Sequence, residues 1–503
     1  MELISGIIHG FAVSLKLANI LYCFSGVLTG TLIGVLPGIG PQAAIAFLLP
    51  VTYAMTTDSA VIMLAGIYYG AMYGGSTTSI LVNIPGESAS VITCLDGHQM
   101  ARKGRAGAAL GISAIGSFIA GTLGIIGLMF FAYPMAKMAL RFGPPEIFSV
   151  MFMGLTLLAY LAQGSMFKAL SMGLLGLLFS FIGIDVITGQ SRFTMDLTNL
   201  MDGVGLIPIA MGLFGISEVL VNLEEKISRI VFETKIKGLF PTQKEWRRSL
   251  GPISRGTVIG FFLGLLPGGG PTVSSIVSYT IEKKISPYPE KFGTGMIEGL
   301  AGPESANNSA TAGGFVPLLT LGIPTQVTTA LLMGAMMIHN VTPGPLLLAQ
   351  HPDVFWGVVT SMYIGNVLLL ILNFPLIGLW VKVLKVPYRF LFPLILLFCI
   401  IGAYSLNNST FDIAVMVIFG LVGYFMKKFG YEPAPFLLAF VLGRLMEEAL
   451  RQSLSIFHGN FIMFFTRPIS AAFIIIALSL ISSSFISFLK KKRLSKLNDT
   501  FDY

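Results

Sequence analysis

The feature that most restricts this chain is a series of long stretches with no Asp, Glu, Lys or Arg. They are Leu17–Thr57, Ser59–Gly86, Ala106–Ala136, Ile147–Phe167, Gly256–Ile281, Ser305–Pro352, Val354–Val381, Phe390–Phe411 and Pro468–Leu489. A helix crosses a bilayer with roughly 20 apolar residues. A soluble chain needs a charged shell, about 25% of its residues; this one has 11%. Disorder needs low hydrophobicity and high charge, and collagen or a coiled coil needs a strict period. The stretches also far exceed the short alternating segments of a transmembrane β-barrel. The sequence therefore predicts an all-α polytopic membrane protein of about 10–12 spans.

The net charge of +8 is read as Lys and Arg in cytoplasmic loops, and no nucleic-acid partner is expected. Cys23, Cys94 and Cys399 stand apart and form no disulfide or zinc pattern. The first residues lack a basic n-region, so no cleaved signal peptide is expected.

The chain repeats itself. Gly34-Val35-Leu36-Pro37-Gly38-Ile39-Gly40-Pro41 recurs as Gly264-Leu265-Leu266-Pro267-Gly268-Gly269-Gly270-Pro271, offset by 230. Gly74-Gly75 before Ile84-Pro85 recurs as Gly313-Gly314 before Ile323-Pro324, offset by 239. We divide the chain into a first membrane repeat (1–221), a basic cytoplasmic linker (222–250), a second repeat (251–467), and a final span with a basic cytoplasmic tail (468–503). Matched loops carry opposite charge bias. Val51–Ser59 has no Lys or Arg, whereas Glu282–Lys291 has Lys283, Lys284 and Lys291. Arg102, Lys103 and Arg105 are matched by the uncharged-basic stretch Asn340–Asp353. The positive-inside rule then places the halves upside down relative to each other. Inverted repeats with interrupted helices are the mark of secondary transporters.

Four polar, Gly/Pro-rich segments interrupt the apolar runs: Leu36–Pro41, Gly74–Glu87, Leu266–Thr272 and Gly302–Gln326. Non-helical backbone is tolerated at membrane depth only inside protein or beside a cavity. A helix restarting after Pro-Gly directs free N–H groups and partial positive charge at the break, which suits a carboxylate. An unwound C-terminal end offers carbonyl oxygens to Na+. The candidate substrate-binding residues are Pro37, Gly38, Gly40, Ser76, Thr77, Thr78, Ser79, Gly268, Gly269, Gly270, Thr272, Ser305, Asn307, Asn308 and Thr325. The candidate Na+ ligands are Asn83, Asn307, Asn308 and Gly322. Glu304 and Glu87 are candidate coupling residues, since a charge at a helix centre costs roughly 2.5–3.5 kcal/mol on insertion. Either also suits a helix cap or an interfacial position.

No Walker A motif, HExxH or Gly-x-Ser-x-Gly elbow occurs. No enzyme activity and no organic cofactor are expected; the only cofactor is a coupling ion, Na+ or H+.

The motifs together resemble the TctA family, the large membrane subunit of tripartite tricarboxylate transporters. The resemblance rests on Gly30–Pro50, Tyr69–Gly86, Asp96–Gly107, Gly264–Tyr279 and Phe292–Pro345, the last including Pro303-Glu304-Ser305-Ala306-Asn307-Asn308. It covers nearly the whole chain. One departure is Thr325-Gln326, where the family commonly has Gly-Ser. The resemblance implies a cation-coupled importer of tri- or dicarboxylates in the bacterial inner membrane. It also implies a small membrane subunit and a periplasmic solute-binding protein as partners, and an elevator motion. An ion channel, an intramembrane hydrolase and a receptor-like subunit are the alternatives on the residues alone.

Overall fold

The computed structural model of the chain describes residues 2–36, 40–161, 165–185, 187–224, 238–384 and 388–498. Pro37 and Gly38, and much of the linker 222–250, lie outside the described residues.

Helix follows helix. The first part contains α1 (Glu2–Ser14), α2 (Leu17–Val35), α3 (Pro41–Leu48), α4 (Thr57–Val82), α5 (Val91–Met100), α6 (Ala106–Ala139), α7 (Pro144–Leu161) and α8 (Met166–Ser180). A short hairpin, β1 (Gly183–Ile184) and β2 (Ser191–Arg192), leads to α9 (Leu206–Ala210) and α10 (Ser217–Glu224). Then come α11 (Gln243–Gly264), α12 (Pro271–Ile285), α13 (Glu298–Leu321), α14 (Val327–Ile338), α15 (Leu347–Gln350), α16 (Pro352–Asn373), α17 (Ile377–Leu384) and α18 (Tyr388–Asn407). The chain closes with α19 (Thr410–Lys428), α20 (Pro433–Ile456) and α21 (Pro468–Asn498).

These helices form two compact units, Met1–Leu140 with Gly205–Phe425, and Arg141–Val204 with Met426–Tyr503. The units cut across the division read from sequence, because each half contributes chain to both.

The larger unit is organised by glycine. On α2, a Cβ added to Gly26, Gly30 or Gly34 would lie 2.1–2.4 Å from the carbonyl oxygens of Met63, Ile67 and Ala71 on α4. On α11, a Cβ added to Gly256, Gly260 or Gly264 would lie 2.1–2.3 Å from those of Gly302, Ala306 and Ala310 on α13. The two stripes are related by the same offsets, 230 and 239, that relate the sequence motifs. Small residues let membrane helices approach backbone to backbone, where dispersion does the work that the hydrophobic effect does in water.

Among the described residues, six helical segments are long and apolar enough to cross a membrane. By that measure the expected 10–12 spans are not reached. The helices α4 and α13, 26 and 24 residues long, are not among the six. They carry Gly, Ser, Thr and Asn, and nearly every residue from Ser59 to Val82 and from Gly299 to Thr320 is buried. Protein, not lipid, is their surroundings.

Two of the expected interruptions are confined to the ends of their segments, at Asn83 and Gly322. Gly74–Ser79 lies within continuous α4, and Gly302–Ser309 within continuous α13. The helical ladder survives because the small residues serve close packing and the polar ones bond back to their own helix. Ser76 Oγ reaches Met72 O at 3.1 Å, Asn308 Nδ2 reaches Glu304 O at 3.0 Å, and Thr311 Oγ1 reaches Asn307 O at 3.1 Å. Pro303 and Pro317 remove backbone bonds only in the outer turns of α13. The chain breaks instead where α4 and α13 end. Both stop on left-handed residues, Asn83 (φ 60°) and Gly322 (φ 68°), the conformation that terminates helices. Proline at the first position opens α3 after Gly40 and α12 after Gly270.

In the smaller unit, Ser149 of α7 bonds Ser470 of α21 at 2.7 Å, and Gly176 of α8 packs on the Phe436 carbonyl of α20. The hairpin is tied to α20 by Arg192–Glu447 at 2.6 Å and Asp185–Arg451 at 2.9 Å. Arg444 reaches the Ile184 carbonyl, and Arg451 pairs with Glu447 along the helix at 3.3 Å.

Candidate functional site

The polar centre of the larger unit is Glu304, fully buried in α13. Its Oε2 accepts from Ser76 Oγ of α4 at 2.6 Å and from Ser113 Oγ of α6 at 3.0 Å. Its Oε1 accepts from Thr93 Oγ1 of α5. One carboxylate thus joins four helices. Ser117 Oγ and Asn308 Nδ2 reach the Glu304 carbonyl, at 3.3 and 3.0 Å. These hydroxyls replace the water that the buried carboxyl group has lost.

Two tips flank this centre. The first is the turn after α4, Asn83–Ser90. Glu87 caps the short turn Ser88–Ser90, its Oε2 accepting from Ala89 N at 2.5 Å. The second is the turn after α13, Gly322–Gln326. Gln326 caps α14 and its backbone N–H donates to Thr329 Oγ1 at 3.1 Å. Each tip leans on the helix end that precedes it in its own half. A Cβ added to Gly86 would lie 2.2 Å from Gly34 O near the end of α2, and Gly268 N, just past the end of α11, donates to Thr325 O at 2.8 Å. Each also rests on a glycine of the long helix before it. A Cβ on Gly75 would lie 2.8 Å from Glu87 Cγ, and one on Gly314 would lie 3.1 Å from Thr325 Oγ1.

The halves touch through polar groups. Gln326 Nε2 donates to the Tyr68 hydroxyl of α4. Ser275 Oγ of α12 donates to Ala89 O at 2.9 Å. A small cavity of about 20 Å³ is lined by Tyr69, Asn308, Thr311 and Asn366, with Met362, Ala312, Ile125 and Gly121. That volume is enough for one water.

The sequence-derived substrate residues fall as follows. Ser76 is bound to Glu304; Thr77, Thr78 and Ser79 are buried on α4. Ser305 Oγ and Thr325 Oγ1 are buried without a hydrogen-bond partner among the described residues. Gly268 is left-handed (φ 79°). Gly40 and Gly270 stand directly before Pro41 and Pro271, and in the second break Gly269 lies between Gly268 and Gly270. The Thr272 carbonyl accepts from Ser275 Oγ at 2.9 Å. Pro37 and Gly38 fall outside the described residues.

The four candidate Na+ ligands do not form one shell. Asn307 and Asn308 sit mid-way along continuous α13, and Gly322 ends it, about 22 Å further on at 1.5 Å per residue. Asn83 is an exposed residue at the end of α4. The expectation assumed a broken helix at Asn307; helix continuity separates the set. Among the described residues, no three His, Cys, Asp or Glu gather to hold a metal ion.

Several residues of the polar network were not singled out in the sequence. Ser113 and Ser117 share one face of α6 at a spacing of four, a signal that was present in an otherwise apolar helix. Thr93 and Tyr68 gave none. Asp96 is fully buried and accepts from Tyr279 Oη at 3.0 Å and from the backbone N–H groups of Gly293, Gly295 and Met296 at 2.7–3.0 Å. It fixes the entry to α13.

A predominantly helical chain with several membrane-length apolar helices, closed around buried hydroxyl, amide and carboxyl groups, is a multi-pass membrane protein. It belongs to the TctA family: the family model "Tripartite tricarboxylate transporter TctA family" matches residues 20–438. That family consists of transporters, not enzymes. Two proteins of Agrobacterium vitis are similar to it. One, described as an uncharacterized 52.8 kDa protein in the TAR-I ttuC' 3' region, is 49% identical over 493 residues, 98% of either chain. The other, described as an uncharacterized protein in the TAR-II ttuC' 3' region, is 49% identical over 234 residues, covering 46% of this chain and 97% of the relative. No solved structure matches.

Proposed function

We propose that this chain is the large membrane subunit of a secondary importer that moves tri- or dicarboxylates across the bacterial inner membrane, coupled to Na+ or H+. A small membrane subunit and a periplasmic solute-binding protein would complete the system. The linker and C-terminal tail would face the cytoplasm, as their Lys and Arg favour. The two halves would be inverted repeats, and an elevator displacement of the substrate-binding part would carry the load.

One observation carries this reading. Two helix breaks, 239 residues apart, each place a capping residue over a glycine of a buried central helix, and at the second the buried Thr325 hydroxyl has no partner among the described residues. An unsatisfied buried hydroxyl costs free energy, so its retention suggests a visitor that satisfies it. The restarted helices offer N–H groups and partial positive charge, which suit carboxylates without a buried Arg. Serine, threonine and asparagine supply both donors and acceptors around them. Substrate would enter when a tip lifts, because in the present arrangement Ser305, Asn307 and Thr325 are sealed from solvent.

The test is uptake of radiolabelled citrate, tartrate, malate and succinate into proteoliposomes, with and without a sodium or pH gradient. Thr325→Val keeps the side-chain shape and removes the unpartnered hydroxyl. It should leave thermal stability within error and raise KM for uptake about fivefold or more. Unchanged KM removes Thr325 from the site, and steady single-channel current in place of saturable uptake removes the transporter reading.

A further inference from the structure

Glu87 and Gln326 occupy equivalent places. They lie 239 residues apart, the offset that relates the two central helices and their glycines. Both cap a turn with nearly the same extended backbone, φ −147° and ψ 168° against φ −158° and ψ 169°. Both have a hydroxyl residue three positions on, Ser90 and Thr329, whose oxygen meets the capping backbone N–H. The fold therefore builds the same seat twice and fills it once with an acid and once with an amide.

The amide shows what the seat accepts. Glutamine is neutral and presents one acceptor and one donor end. Gln326 uses its donor end on the Tyr68 hydroxyl. A protonated glutamate has the same shape, with one acceptor oxygen and one O–H donor. Glu87 is 7% exposed, its Oε2 has the single donor Ala89 N, and its Oε1 has no partner among the described residues. The titratable groups facing it are Tyr68 of α4, Cys94 of α5 and Glu304 of α13. The helix α12 presents Ser275, which bonds Ala89 O. No cation among them balances a carboxylate, and a buried unpaired charge is very costly. Glu304 is different: three hydroxyls from three helices fix it within an unbroken helix. Glu87 instead sits at a break, next to exposed Ser88, one residue from water.

We propose that Glu87 carries a proton through the transport cycle. Its carboxyl is the neutral acid while the tip rests on Gly75. It takes its proton from the outer face before the tip closes, releases it with substrate to the inner face as the tip lifts and water reaches it, and returns ionised with the tip lifted. The inference rests on the importer reading and specifies its coupling ion.

Two measurements test it on the full chain with whatever subunits co-purify. The first is the infrared C=O stretch of protonated carboxyl groups at neutral pH without substrate. Wild type should show a band that Glu87→Gln lacks; identical spectra overturn the proposal. The second is uptake of radiolabelled citrate and tartrate into proteoliposomes. In wild type, a gradient of one pH unit, alkaline inside and without a sodium gradient, should raise accumulation by up to about tenfold per coupled proton. Glu87→Gln should lose that response, and whatever exchange it retains should no longer vary with pH. A variant that responds to the pH gradient like wild type overturns the proposal, as does a wild type driven by sodium alone. A wild type that transports neither substrate speaks against the importer reading, while the infrared result still decides the state of Glu87. Should Glu87→Gln fail to fold, Glu87→Asp shifts the same band and replaces it.

Discussion

The glycine contact between α11 and α13 gives the firmest quantitative expectation. A Cβ placed on Gly260 would lie 2.1 Å from the Ala306 carbonyl oxygen and 2.8 Å from its Cα. Both are backbone atoms of a buried helix and cannot rotate away. To restore an ordinary contact of 3.4–4 Å, the helices must part by about 1.3 Å or more, which loosens dispersion contacts along the whole stripe. Overpacking of this kind costs about 1–3 kcal/mol. A loss of 1 kcal/mol lowers Tm by about 2–4 °C in a domain of 150–250 residues, so Gly260→Ala should lower the melting temperature of the detergent-purified protein by several degrees. The control is Gly173→Ala on α8, where nothing lies within 4 Å of the added Cβ. Alanine is the better helix former, by up to about 1 kcal/mol, so that variant should melt at or slightly above wild type. The melts are followed by tryptophan fluorescence and by size-exclusion recovery after heating. If Gly260→Ala melts with Gly173→Ala, close backbone approach is not what holds α11 to α13.

Two further outcomes follow from the side-chain bonds. Ser113→Ala removes one hydroxyl partner of the buried Glu304 carboxyl and should cost about 1–3 kcal/mol, read as a lower Tm; Thr122→Ala, whose part-buried hydroxyl donates to Phe118 O of its own helix and accepts from Asn366 Nδ2 of α16, should cost less. In the hairpin, the hydrogen bond from Thr188, followed by that from Arg451, holds the Asp185 carboxyl well below the usual carboxylate range. A lowered folded-state value means its contribution is complete above the unfolded value, about 4, and is lost as pH falls through the lower folded value. Hydrogen-exchange protection factors in residues 187–192 should therefore be high at neutral pH and fall only in acid. Asp185→Asn should flatten that acid limb.

The membrane class, the helical architecture and the twofold offsets were legible in the sequence, because charge-free length and repeated Gly/Pro spacing are one-dimensional signals. Gly34 and Gly264, or Gly75 and Gly314, can be matched without knowing what they touch. Glu304 and Glu87 were visible as acids in apolar surroundings, since a membrane makes every charge conspicuous. Which stretches bend was not legible: Gly302–Ser309 and Gly74–Ser79 have the composition of a break, yet glycine in a stripe serves helix contact as well as it serves a turn. Only packing decided between the two, by seating Ala306 and Ala310 against Gly260 and Gly264 and leaving the turns to Asn83 and Gly322. The same decision set Asn307 and Asn308 within a continuous helix, about 22 Å from Gly322 at its end, and it gathered Ser76, Thr93 and Ser113, separated by up to 228 residues from Glu304, around one carboxyl group. Sequence fixes which residues must avoid lipid; the tertiary structure alone determines which of them meet, because a hydrogen bond depends on a distance that spacing along the chain does not record.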